Sequence, residues 1–344
     1  MDQTEALIIE TIDRHREEIL EFARDIYSHA ELGYKEFQTS GKFVKKMEQL
    51  GLRTEKGFAI TGVKAYLNED KKENASLALL GELDALRIPE HAFANPETNA
   101  AHCCGHHAQM AGVFGAALAL TVPEIAEKLD GQVVFFATPA EEYGEIEFKN
   151  QLREQGKIRY GGGKCELLRI GAFDDIDLCL THHIRPGNEI LVGSGTGNGF
   201  VSKVIRVLGK ASHAAGAPEK GVNALSAASL GLQALGLNRE TFRDEDCVRV
   251  HPIITKGGNL VNVIPDEVVV ETLVRGKTIE AFTDAAKKTD RSFKAGAIAM
   301  GAKVEISTLP GYLPTLAEEA LPELKHAAEI SASGIPVIEA SGHA

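Results

Sequence analysis

Short apolar runs that alternate with helical segments restrict the fold of this chain more than any other feature of its sequence. The runs lie at 63–67, 77–80, 133–137 and 177–181, and an Ala-rich helical segment at 108–120 separates the second run from the third. Alternation of strands and helices is typical of a mostly parallel sheet that is covered by helices. The first part of the chain is therefore predicted to form an α/β domain.

Further helices are predicted around this sheet. Apolar residues at helical spacing predict two helices between residues 6 and 50, with a break near Leu32–Gly33, and another helix at 164–170. The segment at 145–163 is polar, charged and Gly-ended, and we interpret it as an exposed excursion from the fold.

The pattern changes at about residue 200. The elements then follow the order β-α-β-β-α-β of a ferredoxin-like unit: strand 201–208, helix 223–237, strands 248–254 and 268–274, helix 279–300 and strand 303–307. We predict a discontinuous first domain of residues 1–198 and 310–344, into which residues 199–309 are inserted as a second domain. A helix at 316–331 would return the chain to the first domain.

Composition excludes several classes of protein. Hydrophobic residues make up 44% of the 344 residues and charged residues 25%, which is ordinary for a globular protein with a core. The formal net charge is −12 and no Lys/Arg cluster interrupts it, so nucleic acid is excluded as a partner, because phosphate neutralisation needs a basic face.

Targeting signals are not predicted either. Charged residues break up the segment 1–20, which rules out the apolar region of a signal peptide, and no run of about 18 apolar residues could span a bilayer. We predict a cytoplasmic protein without a membrane partner. The five cysteines are odd in number and two are adjacent, which is a poor disulfide framework and favours metal ligands or core residues.

A cluster of thiols and imidazoles precedes the Ala-rich helix. Its sequence is His102-Cys103-Cys104-Gly105-His106-His107. Thiolate and imidazole both bind zinc-like ions, and the glycine permits a tight backbone that turns its two neighbours towards one centre. The alternative is a pair of buried thiols beside histidines that cap the helix.

Three more polar clusters each end a predicted strand. They are Gly81-Glu82-Leu83-Asp84, Pro139-Ala140-Glu141-Glu142 and Thr181-His182-His183. Open α/β sheets build their sites at the carboxyl ends of strands, and of two adjacent carboxylates one could bind a metal while the other moves protons. The alternatives are a solvated acidic helix start and a hydrogen-bonded core histidine. Four such clusters together predict one shared site.

These motifs resemble those of the metal-dependent aminoacylase and carboxypeptidase superfamily, over almost the whole chain. Within it they are similar to the amidohydrolase branch that contains hippurate hydrolase, indole-acetyl-amino-acid hydrolases and aminobenzoyl-glutamate hydrolase. The segment Glu82-Leu83-Asp84-Ala85-Leu86 matches the Asp-x-Asp-Ala-Leu-Pro strand end of that branch, and Cys104-Gly105-His106 matches its Cys-Gly-His-Asp motif. The resemblance implies a zinc-exopeptidase-like α/β fold, with a mixed, mostly parallel sheet and an inserted ferredoxin-like dimerisation or lid domain.

The resemblance also implies roles for single residues. The implied metal ligands are Cys104, His106, Glu142 and His183, with Glu141 as general base and Asp84 orienting a ligating group. In the inserted domain, the segment Gly209 to Ala214 resembles the motif that supplies a histidine, here His213, to the active site of a partner subunit. The segment Gly257 to Pro265 is also typical of the branch, and Asn262 and Arg275 are candidates for binding a substrate carboxylate.

Three positions depart from the pattern of the branch. His107 stands where the branch usually has Asp or Asn, and Arg87-Ile88-Pro89 stands where its proline follows directly. Relatives have a final His ligand after a Ser-Thr/Glu-Asp segment, for which His343 is the candidate here.

The implied activity is hydrolysis of an amide bond in N-acyl amino acids, aminobenzoyl-glutamate-like compounds or small peptides, by a homodimer that holds two divalent ions. Zinc is the first expectation, with manganese, cobalt or nickel as alternatives. One rival is a catalytically weakened member that binds metal or ligand because the C-terminal ligand segment is missing. Others are a cysteine hydrolase using Cys104 with His106, and a zinc-dependent deaminase, whose His-x-Glu and Pro-Cys-x-x-Cys pattern the chain lacks.

Overall fold

The computed structural model describes residues 1–343, which form two compact units. The first unit contains Met1–Gly144, Gly156–Ile190 and His326–Pro336, and the second contains Glu145–Gln155, Leu191–Lys325 and the described residues from Val337 onward. Ala344, which closes the predicted segment 310–344, lies outside the described residues. The sequence had predicted that the chain returns to the first domain at residue 310, whereas in the structure the last segment of the first unit begins at His326.

The chain forms its helices and strands in the following order. The helices are α1 (Gln3–Arg14), α2 (Arg16–Ser28), α3 (Phe37–Gln49), α4 (His106–Leu120), α5 (Pro123–Ala126), α6 (Ile146–Glu154), α7 (Gly163–Arg169), α8 (Ala224–Asn238), α9 (Ile279–Ala299) and α10 (Pro322–Ser331). The strands are β1 (Arg53–Phe58), β2 (Gly62–Leu67), β3 (Ser76–Glu82), β4 (Leu86–Arg87), β5 (Ala100–Ala101), β6 (Gln132–Thr138), β7 (Leu178–Thr181), β8 (Ile190–Val192), β9 (Gly199–Leu208), β10 (Arg249–Val250), β11 (Ile253–Lys256), β12 (Glu267–Gly276), β13 (Lys303–Pro310) and β14 (Val337–Glu339).

A mixed five-stranded sheet organises the first unit. Its strand order is β1-β2-β6-β3-β7. Strands β6, β3 and β7 run parallel to one another, β2 is antiparallel to β6, and β1 is antiparallel to β2. The apolar side chains of α2, α3 and α4 pack with this sheet in one core, where Phe43, Phe114 and Phe135 are almost fully buried. The predicted α/β class is confirmed, and the parallel strands bring the ends of β3, β6 and β7 to one edge.

An antiparallel sheet of order β10-β12-β9-β13 organises the second unit, and β11 also pairs with β12. Its core consists of side chains from this sheet and from α8 and α9, among them Phe293. The predicted ferredoxin-like order is confirmed with one difference, because the predicted strand 248–254 is split into β10 and β11. Pro252 lies at the split and lacks the N–H that a continuous ladder would need.

Three predicted elements of the chain were wrong in detail. The first predicted helix is two helices, because the chain departs from helical geometry at His15, between α1 and α2. The segment read as an exposed excursion contains α6, which buries Ile146 and Leu152 and belongs to the second unit. The last helix begins at Pro322, later than predicted, since proline fits the first turn of a helix but not its interior.

None of the helices within residues 1–343 is both long enough and apolar enough to cross a membrane.

Candidate metal centre

Two buried carboxylates hold the loop that follows β6. The N–H of Ala140, a residue with φ of 47°, donates to Glu36 Oε1 at 2.7 Å. The next two N–H groups, of Glu141 and Glu142, donate to the two carboxylate oxygens of Asp84 at 3.1 and 2.9 Å. Glu36 and Asp84 are both completely buried. Three successive backbone donors are therefore satisfied by side chains from other segments, which sets the path of the Glu141–Glu142 backbone.

Gly105 makes the sharp entry into α4. Its φ is +85°, and a Cβ atom at this position would lie 2.3 Å from the side chain of Ile184. A residue with a side chain would be strained by the backbone conformation and would also clash. This glycine thus lets Cys104 and His106, on either side of it, approach the same centre.

His106 begins α4 and is buried. Its Nδ1–H donates to the backbone carbonyl oxygen of Asp84 at 2.7 Å, which leaves Nε2 directed at Glu82. Nε2 and Glu82 Oε2 are both buried and lie 3.0 Å apart, so a protonated His106 forms an ion pair with Glu82. A metal cation could take the place of that proton, between the imidazole nitrogen and the carboxylate oxygen.

His183, after the end of β7, has the same arrangement. Its Nδ1–H donates to the carbonyl oxygen of Ile184 at 2.7 Å, and its Nε2 lies 3.3 Å from Cys104 Sγ. Hydrogen bonds from Nδ1 to carbonyl oxygens commonly fix the tautomer of metal-binding histidines. The two imidazoles and the thiol therefore fit a zinc-like ion.

Two groups of three candidate donors lie close together among the residues described by the structure. In each group the ligand atoms all lie within 4.8 Å of one another. The first group is Cys104, His106 and His183, and the second is Glu82, His106 and Glu141. The structure thus brings together the predicted residues Cys104, His106, His183 and Glu141, with Glu82 as an additional donor. Glu142 is in neither group, although its carboxylate interacts with the Cys104 thiol.

The carboxylates of the site perturb one another. Burial and the charge of Glu82 raise the pKa of Glu141 to about 7, against a smaller opposing effect of Lys164. Burial also opposes protonation of His106, but the carboxylates of Asp84 and Glu82 raise its pKa to about 11. A carboxyl group with a pKa near neutrality can both accept and return a proton at physiological pH.

Cys104 is a neutral thiol in the metal-free protein. Burial raises its pKa to about 12, and the carboxylates of Glu142 and Glu141 add to the effect. Because the nucleophilic form of cysteine is the thiolate, this environment disfavours a free nucleophile. A bound cation would instead stabilise the thiolate as a ligand.

Sequence reasoning placed Glu82 in one of the four polar clusters but gave it no role, and it missed two other polar residues of the site, Gln109 and Lys164. Gln109 accepts the N–H of Glu82 at 2.7 Å and donates to the carbonyl oxygen of His182 at 2.6 Å, so it ties the end of β3 to the end of β7. Lys164 forms an ion pair with Glu82. The spacing of Gln109, one turn after His106 on α4, was a signal for its role, whereas Lys164 had no comparable signal.

His107 occupies the position where the branch usually has Asp or Asn. Its ring packs against Tyr27 and His102, with ring centroids 4.8 and 5.4 Å apart. Burial and the neighbouring histidines lower the pKa of His102 to about 3, and burial also lowers the pKa of His107. The loop that carries Cys104 and His106 is thus backed by neutral aromatic rings rather than by a carboxylate.

The remaining predicted residues lie in the second unit. His213 is exposed and its Nδ1 accepts the N–H of Gly216 at 2.9 Å. Asn262 is exposed, and Arg275 on β12 lies over the Phe200 ring. His343 contacts Thr196 Oγ1 through Nδ1 at 2.8 Å and Asn198 Oδ1 through Nε2 at 3.1 Å, so both of its ring nitrogens are engaged.

Fold and site together define a two-unit α/β protein with a thiol, imidazole and carboxylate centre at the strand ends. Residues 197–298 match the family model described as the peptidase dimerisation domain of the M20 type. The chain is 29% identical to mouse Xaa-Arg dipeptidase, covering 87% of this chain and 64% of that protein. It is 30% identical to an IAA-amino acid hydrolase of Arabidopsis thaliana, covering 77% of this chain and 56% of that protein.

A similarity in fold to solved structures covers almost the whole chain. A dinuclear metal binding peptidase of the M20 family from Bacillus subtilis superposes with a TM-score of 0.58 at 23% identity, covering 96% of this chain and 83% of that chain. These findings confirm the resemblance inferred from the motifs: residues 197–298 match the dimerisation domain of M20 peptidases, and the similar proteins are named peptidases and hydrolases. The chain spans less than two thirds of the length of both curated relatives.

Proposed function

We propose that the protein is a metal-dependent amidohydrolase that cleaves the amide bond between an acyl group and an amino acid, or a bond in a small peptide. The observation that carries the proposal is the pair of donor groups that share His106, with Glu141 in one of them. The names of the relatives, a dipeptidase and an amino acid conjugate hydrolase, support the same kind of bond.

The donors Cys104, His106 and His183 would hold a divalent ion, with Glu142 beside Cys104 as the further ligand that the resemblance implies. The resemblance implies two ions, with zinc as the expected metal. A bound divalent ion supplies Lewis acidity, which polarises a carbonyl and lowers the pKa of a water molecule.

Glu141 is proposed as the group that moves the proton. With a pKa of about 7, it could take a proton from the attacking water and deliver it to the leaving nitrogen. Asp84 and Glu36 hold the backbone of this residue through the N–H bonds of the loop. The backbone that carries this carboxylate is therefore held by groups that do not themselves need to move during the reaction.

The second unit would complete the site of a homodimer. We propose that it mediates dimerisation, in keeping with its match to a peptidase dimerisation domain. His213 would then serve the oxyanion in the neighbouring copy, and Asn262 and Arg275 would bind the substrate carboxylate, as the resemblance implies. The predicted cytoplasmic location stays a prediction.

The proposal is tested with a panel of N-acyl amino acids, aminobenzoyl-glutamate and dipeptides, each assayed with added zinc, manganese, cobalt or nickel. We expect hydrolysis of at least one class of substrate, loss of activity with a chelator and recovery when metal is returned.

A chain that binds metal but hydrolyses none of the panel would instead be a metal-binding or ligand-binding protein. The engagement of both His343 ring nitrogens favours this second candidate, because a ligand needs a free lone pair.

Alkylation separates the metal-dependent hydrolase from a cysteine hydrolase. Because the pKa of Cys104 is raised to about 12, iodoacetamide at neutral pH should react slowly at this residue in the metal-free protein. Activity that resists alkylation but not chelation supports the metal-dependent reaction. Activity that resists chelation but is lost on alkylation of Cys104 would overturn it.

A further inference from the structure

Lys164 is placed at the site by a close backbone contact. The N–H of Gly163, the first residue of α7, donates to the carbonyl oxygen of Ala140 at 2.9 Å. A Cβ atom on Gly163 would lie 1.7 Å from the carbonyl oxygen of Pro139, so a side chain at this position would not fit. The absence of a side chain lets the start of α7 pack directly on the loop after β6, and Lys164 is the next residue.

The ammonium group of Lys164 contacts the carboxylate that completes the second donor group. Its Nζ donates to Glu82 Oε1, while the other oxygen of Glu82 faces His106 Nε2 at 3.0 Å. Glu82 is buried, with 4% of its side chain exposed, and the Lys164 side chain is 31% exposed. The charges of Glu141 and Asp84 also act on Lys164. A positive charge of the protein itself is thus paired with the acidic donors.

The two donor groups differ in whether a lysine of the protein already pairs with one of their members. The first group, Cys104, His106 and His183, contains one thiol and two imidazoles. The second group has two carboxylates, and one of these, Glu82, is already paired with an ammonium group. A divalent ion in the second group would have to approach that ammonium closely, and like charges in a partly buried site repel strongly.

We propose that Lys164 serves as a built-in cation in the second donor group, so that the chain binds one divalent ion, at Cys104, His106 and His183. The inference rests on the proposed metal site and departs from the two ions that the resemblance implies. Lys164 would neutralise Glu82 and would hold the Glu82 carboxylate beside His106, which belongs to both donor groups.

The test counts ions bound by the full chain. Metal is stripped from purified protein, zinc or cobalt is added in excess, unbound ion is removed and the bound ion is measured by elemental analysis. We expect one ion per chain for the unaltered protein, two for Lys164→Met and one for Lys164→Arg, which retains the charge. Lys157→Met, which alters an exposed lysine shortly before α7, is the matched control and should bind one ion. Circular dichroism checks that each variant is folded.

Two results would overturn the inference: two ions in the unaltered protein, or one ion in a folded Lys164→Met variant. The count in the unaltered protein decides the matter even where Lys164→Met does not fold. In the cobalt-loaded protein, absorption from thiolate ligation should be present and should be lost in Cys104→Ser; unchanged absorption in that variant would contradict the assignment of the ion to Cys104.

Ion counting does not depend on turnover, so the two proposals fail in different ways. One ion with hydrolysis supports both, and two ions with hydrolysis overturn only the role of Lys164. One ion without hydrolysis of any substrate overturns only the amidohydrolase. A protein that binds no ion overturns both.

Discussion

Asp84 Oδ2 accepts the backbone N–H of Glu142 at 2.9 Å, and the other oxygen of the same carboxylate accepts the N–H of Glu141. An amide at position 84 has only one acceptor oxygen, and its NH₂ group would face a backbone donor. We predict that Asp84→Asn lowers kcat/KM and metal affinity by about 10- to 100-fold each, as measured by steady-state kinetics and metal titration. Asp13→Asn, at an exposed position of α1, is the control, and equal behaviour of the two variants would contradict the prediction.

Replacement of Glu141 by Gln should separate metal binding from proton transfer. The amide keeps the shape of the side chain but cannot accept and return a proton, so kcat should fall by about 10²- to 10⁴-fold. The ion at Cys104, His106 and His183 should remain bound, which elemental analysis can verify. Glu124→Gln, at an exposed position of α5, should leave kcat unchanged. Full turnover by a metal-loaded Glu141→Gln protein would remove this residue from the mechanism.

Glu36 should make the stability of the metal-free protein depend on pH. Burial and the charge of Asp84 raise its pKa to about 7, above the ordinary value of 4.5. At this group the folded state therefore binds more protons than the unfolded state between these two pH values, so the contribution of Glu36 to the free energy of unfolding falls as the pH rises through this range. A single group contributes a slope of up to about 1.4 kcal/mol per pH unit.

The variant Glu36→Gln tests this dependence. Glutamine can still accept the N–H of Ala140 but does not titrate, so the slope of the free energy of unfolding against pH should become less negative or more positive. Glu141, whose pKa is also raised, and His102 and His107, whose pKa values are lowered, titrate in both proteins. Urea unfolding at several pH values between about 4.5 and 7 measures the slope. Glu10→Gln, at an exposed position of α1, should leave the slope as it is, and an unchanged slope in Glu36→Gln would refute the assignment.

Two glycine-to-alanine replacements should change stability in opposite directions. At Gly163 the new methyl group would collide with the carbonyl oxygen of Pro139, and we predict a loss of about 1–3 kcal/mol in the free energy of unfolding. Gly41 lies inside α3 with no atom within 4 Å of the added Cβ, so alanine there should stabilise the protein by about 0.5–1 kcal/mol. Thermal or urea unfolding measures both, and a tolerated Gly163→Ala would show that α7 can move away from the loop.

Much of the fold could be predicted because it depends on local periodicity. An Ala-rich run located α4, helical spacing of apolar residues located α9, and apolar runs located β3 and β6, since each pattern involves residues close in sequence. The break at His15 was missed because the apolar spacing continues through it. The role of α6 was missed because the segment around it is polar, although Ile146 and Leu152 are buried in the structure.

The amino-acid sequence specifies the thiol, imidazole and carboxylate groups of the site and predicts that they follow the ends of strands, which meet at one edge of a parallel sheet. How these groups pair with one another depends on the tertiary structure. The contact between Lys164 and Glu82 joins residues 82 positions apart, and the contact between Ala140 and Glu36 joins residues 104 positions apart. Such contacts depend on how helices and loops pack in three dimensions, and no periodicity along the chain encodes them.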